Sequence, residues 1–168
     1  MVISQEMIDR LQRQFPNCTT SEALEQARVV VVRQDLQEVF QWLKEESGFD
    51  LLVDVTCVDY LNYRGAQQRF GLVYLLANTE TSERLTLRVM LDETDLEVPS
   101  AVPTWEGADW LEREVWDMFG IHFTGHPDLR RILMPEEFIA HPLRKDYPLQ
   151  GRGERHNFPV LTRQTGLK

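Results

Sequence analysis

The sequence predicts an α+β fold: three strand-like runs follow one another with no helix between them, amphipathic segments flank them, and most prolines fall late in the chain. Strands in direct succession imply a short, mainly antiparallel sheet, with helices packed on one face. The expected organisation is an acidic α+β body over residues 1–125 and an extended basic C-terminal arm over 126–168.

Ile3, Met7, Leu11 and Phe15 recur four apart with Ile8 beside them, so a first helix is expected to end before Pro16. A second short helix is expected over Ser21 to Gln26. The β-branched run Val29-Val30-Val31-Val32-Arg33 reads as a strand. Asp35 and Glu38 have the spacing of a capping box and open a helix through Leu36, Val39, Phe40 and Leu43, with Gly48 as its stop. The three successive strands are Leu51 to Val58, Phe70 to Asn78 and Arg84 to Leu91, and a last helix lies near residues 107–119. Five of the eight prolines (Pro127, Pro135, Pro142, Pro148 and Pro159) follow residue 125 and exclude long helices and central strands there. Ile132, Leu133, Met134, Phe138 and Tyr147 can then be buried only against the body or against a partner.

A chain of 168 residues can close a core without a metal or disulfide. Cys18 and Cys57 are isolated, cannot supply the four thiolates of an iron-sulfur cluster or structural zinc, and read as small buried hydrophobes. The first residues lack the pattern of a signal peptide, and the apolar runs, Val29 to Val32 among them, are far too short to span a bilayer. Membrane association is therefore expected only indirectly, through another protein. The net charge of −9 argues against nucleic acid as a partner. Residues 1–125 hold 22 acidic and 10 basic side chains, whereas 126–168 hold 5 and 8.

Between Trp110 and Gly120 the chemistry is densest. At about 100° per residue, Ala108, Leu111, Val115, Met118 and Phe119 share an apolar face, with Trp116 at its edge. Asp109, Arg113 and Asp117 form an opposite stripe, whose ordinary reading is a solvated ion-pair ladder worth a few tenths of a kcal/mol per pair. Glu112 falls inside the apolar arc, so it is expected to be buried and paired with Arg130, Arg131, Arg144 or Lys145. Trp110 on the charged face has the composition of an interface anchor.

A competing reading is a stand-alone metal-dependent hydrolase. Glu112 and Glu114, two apart on a helix, diverge by about 200° and cannot share an ion, which leaves Glu114 and Asp117 as its pair. His122 and His126 have zinc-ligand spacing, but Gly120 and Pro127 break the helix that would align them. His126 and His141, each before a proline, read as hydrogen-bonding residues in turns. Each also opens a similar run, His126-Pro127-Asp128-Leu129-Arg130-Arg131 and His141-Pro142-Leu143-Arg144-Lys145, in which proline delivers a basic pair. No catalytic, cofactor-binding or metal-binding residue is assigned on these grounds.

Glu112-Arg113-Glu114, then Asp117-Met118-Phe119-Gly120-Ile121, Gly125-His126-Pro127-Asp128-Leu129-Arg130-Arg131 and His141-Pro142-Leu143-Arg144-Lys145-Asp146-Tyr147-Pro148 closely resemble the signature of the small hydrophilic C-type family of respiratory complex I. Ala140 stands where many relatives have glycine, which affects a turn. Within the family the short acidic body is most similar to the cyanobacterial and plastid branch, the J type. The resemblance implies a cofactor-free assembly protein of the peripheral arm, beside the large quinone-site protein of the H type and the iron-sulfur proteins of the K and I types. In that branch electrons pass from ferredoxin through iron-sulfur clusters of neighbouring chains to plastoquinone, coupled to proton translocation at the thylakoid membrane. The signature residues, with Trp110, are then expected to be structural and interfacial.

Overall fold

Ser4 starts the first helix: its hydroxyl accepts the Met7 amide at 3.4 Å, and Glu6 lies in the first turn, where a carboxylate complements the helix dipole. The resulting helix α1 (Gln5–Gln14) buries Met7 and Leu11, and Phe15 caps it ahead of Pro16 as the periodicity predicts. The computed structural model describes residues 4–23 and 26–153, with backbone alone for 22–23 and 26–27. Ile3 lies outside the described residues.

Where a second helix is expected, the chain instead forms a hairpin of β1 (Thr19–Ala23) and β2 (Gln26–Val31), with Thr19 opposite Val30. The local preference of Glu22, Ala23 and Glu25 for helix is weak, and pairing of the Thr-rich strand with the valine run overrides it. Helix α2 (Leu36–Glu45) follows a single 3₁₀ turn at Arg33–Asp35. Asp35 sits at its N-cap without capping it. The turn already ties the Leu36 amide to the Arg33 carbonyl, and the Asp35 carboxylate accepts from the Asn17 side chain at 3.2 Å. Gly48, at φ +72°, turns the chain out of α2 so that the Phe49 amide reaches the Leu43 carbonyl at 2.9 Å.

The three predicted strands are β3 (Leu51–Asp59), β4 (Phe70–Ala77) and β5 (Arg84–Leu91), an antiparallel meander. The five-stranded order is β1-β2-β5-β4-β3, in which β2 and β5 run parallel. Side chains alternate across the sheet, and one face carries Val29, Val31, Leu72, Tyr74, Leu87 and Val89 into the core. Among the described residues all three α-helices contribute to that same core: Leu11 from α1, Phe40 and Leu43 from α2, and Val115 and Met118 from the third, α3 (Ala108–Phe119). Phe40 meets the Tyr74 and Trp105 rings edge-on, with centroids at 4.9 and 5.4 Å. Each fully buried Leu or Phe adds about 1.5–3 kcal/mol of hydrophobic stabilisation. Cys18 and Cys57 are buried and unbonded, and burial pushes their thiols up to about 11 and about 12.

Two short parallel strands, β6 (Glu97–Pro99) and β7 (His122–Thr124), bracket α3. From Gly125 to Gly153 the described residues form only turns, bends and irregular backbone, as the prolines require. Residues 154–168 lie outside the described residues. Among the described residues no helix is long and apolar enough to cross a membrane.

Candidate functional site

Helix α3 ends at Gly120, whose φ of +77° suits a residue without a side chain, and its amide closes the last turn on the Trp116 carbonyl at 2.8 Å. That helix end leaves three carbonyls seeking donors. Residues from the proline-rich segment supply them. His141 Nδ1 lies 3.0 Å from the Asp117 carbonyl, the Leu143 amide donates to Met118 at 3.2 Å, and Arg144 Nε donates to Phe119 at 2.6 Å. The Arg144 cation at this end also complements the helix dipole.

The stripe of Asp109, Arg113 and Asp117 is not a solvated ladder. Asp117 is fully buried, because the segment after Thr124 folds back over that side of α3. One of its carboxylate oxygens accepts the amides of Ile132, Leu133 and Met134 at 3.1, 2.9 and 2.8 Å, and the other pairs with Arg131. Burial alone would raise the pKa of the Asp117 carboxyl, but the three amides and the guanidinium outweigh it, and the net shift is downward. Arg131 also donates to the Ala140 carbonyl at 3.2 Å and lies near the Trp116 and Phe138 rings. Arg113 donates to the carbonyls of Arg130 and Arg131 at 3.2 and 3.3 Å. Asp109 offers its carbonyl to His126 Nε2 at 3.1 Å. Since His126 Nδ1 accepts the Asp128 amide at 3.0 Å, the neutral ring must carry its proton on Nε2. Asp128 in turn holds Arg130 at 2.7 Å.

Glu112 is fully buried as expected, but its partner is not an arginine. Oε1 accepts the Ala101 amide at 2.6 Å and Oε2 the Ser100 hydroxyl at 2.7 Å. Glu112 faces the loop after β6, whereas the arginines approach α3 from the side occupied by Asp117. Burial without a cation pushes the Glu112 carboxyl up to about 7.

A second clasp holds the far end of the segment. Asp59 ends β3 with its side chain buried, pairs with Arg69 at 3.1 Å, and accepts the Lys145 amide at 2.8 Å. Arg69 also binds Asp146 at 2.8 Å. Tyr147 packs edge-on against buried Phe138, with ring centroids 5.7 Å apart. Neither Asp59 nor Arg69 stands out in the sequence. The signal was the period-two pattern, which puts Asp59 on the inner face with Val55 and Cys57.

Among the exposed charged residues of α3 and this segment, four large apolar side chains also face outward: Trp110 is 64% exposed, Ile139 is 90% exposed, and Leu133 and Leu143 are open as well. The Arg113 guanidinium lies 5.2 Å from the Trp110 ring centre. Phe119 belongs to the core. Glu114 is exposed while Asp117 is buried and committed, so the pair required by a hydrolase does not meet. A cleft of about 420 Å³ does exist at the C-terminal ends of β2 and β5, but it is lined by Val31, Arg33, Gln34, Leu91 and Asp95, not by residues of α3. Its cation, Arg33, is already paired with Asp95.

The fold and this site define an α+β domain that displays a pinned, irregular segment with outward apolar side chains. Residues 29–153 match the family described as respiratory-chain NADH dehydrogenase, 30 Kd subunit, and the chain belongs to that family. It is 50% identical over 125 residues to the C-type component of the NADH-quinone oxidoreductase of Trichlorobacter lovleyi, covering 74% of this chain and 76% of the relative. The same component from Citrifermentans bemidjiense is 41% identical over 155 residues, covering 90% and 93%. A solved trypsin-resistant fragment of Nqo5 superposes with a TM-score of 0.68 at 32% identity, covering 74% of this chain and 98% of the fragment.

Proposed function

We propose that the chain is a cofactor-free assembly protein in the peripheral arm of a quinone-reducing NADH dehydrogenase. In this reading α3 and the segment clasped to it dock on the large quinone-site protein of the H type, near the iron-sulfur proteins of the K and I types. The observation that carries it is the division of labour at α3. The charged stripe and the terminal carbonyls fix the segment, and Trp110, Leu133, Ile139 and Leu143 are left facing outward. Exposed aromatic and aliphatic side chains held on a rigid support suit a binding surface, because little side-chain entropy is lost on docking. Electrons would pass through clusters and quinone held by the neighbouring chains, and this chain would reach the membrane only through them. The names of the relatives favour NADH as donor to the whole machine.

The photosynthetic version, with ferredoxin, plastoquinone and a thylakoid location, is the second reading, favoured by the strongly acidic body. Affinity purification of the tagged chain from its own membranes tests both. Recovery of the H, K and I proteins supports the assembly role, and loss of them all overturns it. Co-purification of an NADH-oxidising module decides for the first donor.

A further inference from the structure

The helices cover one face of the five-stranded sheet and leave the other open. On that face β5 presents Arg84, Thr86, Arg88 and Met90, β2 presents Arg28 and Val30, and β4 presents Val73 and Leu75. Val73 is buried yet stands outside the main core, as a residue on the opposite face must. Arg28 is paired in register with Thr86, so Arg28, Arg84 and Arg88 surround one threonine. Among the described residues none of the three makes an ion pair, and the Arg88 Nε is buried without an acceptor. Asp54 shares the face but is paired with Leu75, one strand beyond β5's neighbour, roughly 10 Å from the arginine column. A buried guanidinium nitrogen left unpaired is costly, and an incoming carboxylate relieves it. Tyr60 overlies Gly71, so closely that a Cβ there would meet its ring at 2.8 Å, and exposed Tyr63 packs beside it.

We propose that this open face is a second docking surface, distinct from α3, which receives an acidic segment of a neighbouring polypeptide. Its carboxylates lie over Arg28, Arg84 and Arg88, and its apolar side chains rest on Val73, Met90 and Tyr60. Tyrosine, methionine and arginine together are the composition of a protein interface. The apolar half of the face has no use for a bare phosphate, and the acidic body repels both nucleic acid and a second copy of this chain.

The inference rests on the assembly reading, and the test separates the two. A photo-crosslinking phenylalanine analogue replaces Tyr63 in one strain and Trp110 in another, and the intact complex is irradiated in native membranes. The expected adduct at position 63 is a peptide of another protein of the complex, rich in Asp or Glu. Arg88→Glu should lower its yield roughly tenfold, the effect of about 1.4 kcal/mol, while Arg88→Lys preserves most of it and the thermal midpoint of the purified chain is unchanged. Adducts from position 110 but none from 63 overturn the second surface and leave the first standing. Adducts at 63 to lipid, to nucleic acid or to another copy of the chain also overturn it, and silence at both positions removes both surfaces.

Discussion

The Asp117 carboxylate accepts the Met134 amide at 2.8 Å across seventeen residues of chain. With the Leu133 and Ile132 amides and Arg131 it makes one buried side chain the anchor for a segment that has no helix or strand of its own. Backbone amides that would be paired in regular structure are paired here by a carboxylate instead.

Asp117→Ala should therefore cost about 3–5 kcal/mol, since it strands a guanidinium and three amides. Thermal unfolding measures the loss, and faster tryptic cleavage after Arg130 and Arg131 shows that the segment has been released. Because the carboxyl titrates below its ordinary value, its stabilisation is complete above that value and fades as pH falls through the lower, folded one. Acid unfolding of Asp117→Asn should lack that component.

Glu112 has the opposite sign. Its folded value of about 7 lies above the ordinary 4.5, so the native chain binds a proton that the unfolded chain releases between those limits. Stability should fall as pH rises from about 4.5 to 7, by at most about 3 kcal/mol. Glu112→Gln keeps the shape, can still accept the Ala101 amide, and should flatten that slope. Urea titrations at pH 5 and pH 8 compare the two; an unchanged slope in the variant would show that Glu112 is not its source.

Gly120→Ala should be poorly tolerated for two separate reasons. The backbone is left-handed there, and a Cβ would stand 2.6 Å from His141 Nε2 and 2.7 Å from an Arg144 nitrogen. A loss of about 1–3 kcal/mol is expected, with the helix clasp disturbed as well. Restoration of most of it by His141→Ala in the same chain would assign the steric share.

Trp110→Ala should leave the isolated chain within about 0.5 kcal/mol of its original stability, as befits an exposed side chain. On the proposed docking its effect falls on assembly. A loss of about 2 kcal/mol or more in association with the rest of the complex is expected of an anchor. Equal retention of variant and parent on native membranes would show that Trp110 is not one.

Much of the fold was legible because it is periodic. The alternation in β3 and β5, the continuous apolar run of β4 and the four-residue spacing of α1 place those elements within a residue or two. The hairpin at Thr19–Val31 was not legible, since its first strand is held by pairing with the second and not by its own propensity. At the site, the periodicity showed that Glu112 is buried, and the exposure of Trp110 followed from its place on the charged face. Helical position alone pairs the arginine with the wrong carboxylate.

That mispairing marks the boundary. Local pattern and proline placement alone determined β3 to β5, the three described helices and the irregular segment over residues 125–153, because each depends on neighbours a few residues away. Only the tertiary structure decided that Arg131 goes to Asp117, that Ser100 and Ala101 satisfy Glu112, and that Asp59 and Arg69 clasp the segment's far end. Helical spacing tells which side of α3 a residue occupies, but the path of an irregular segment decides what covers that side.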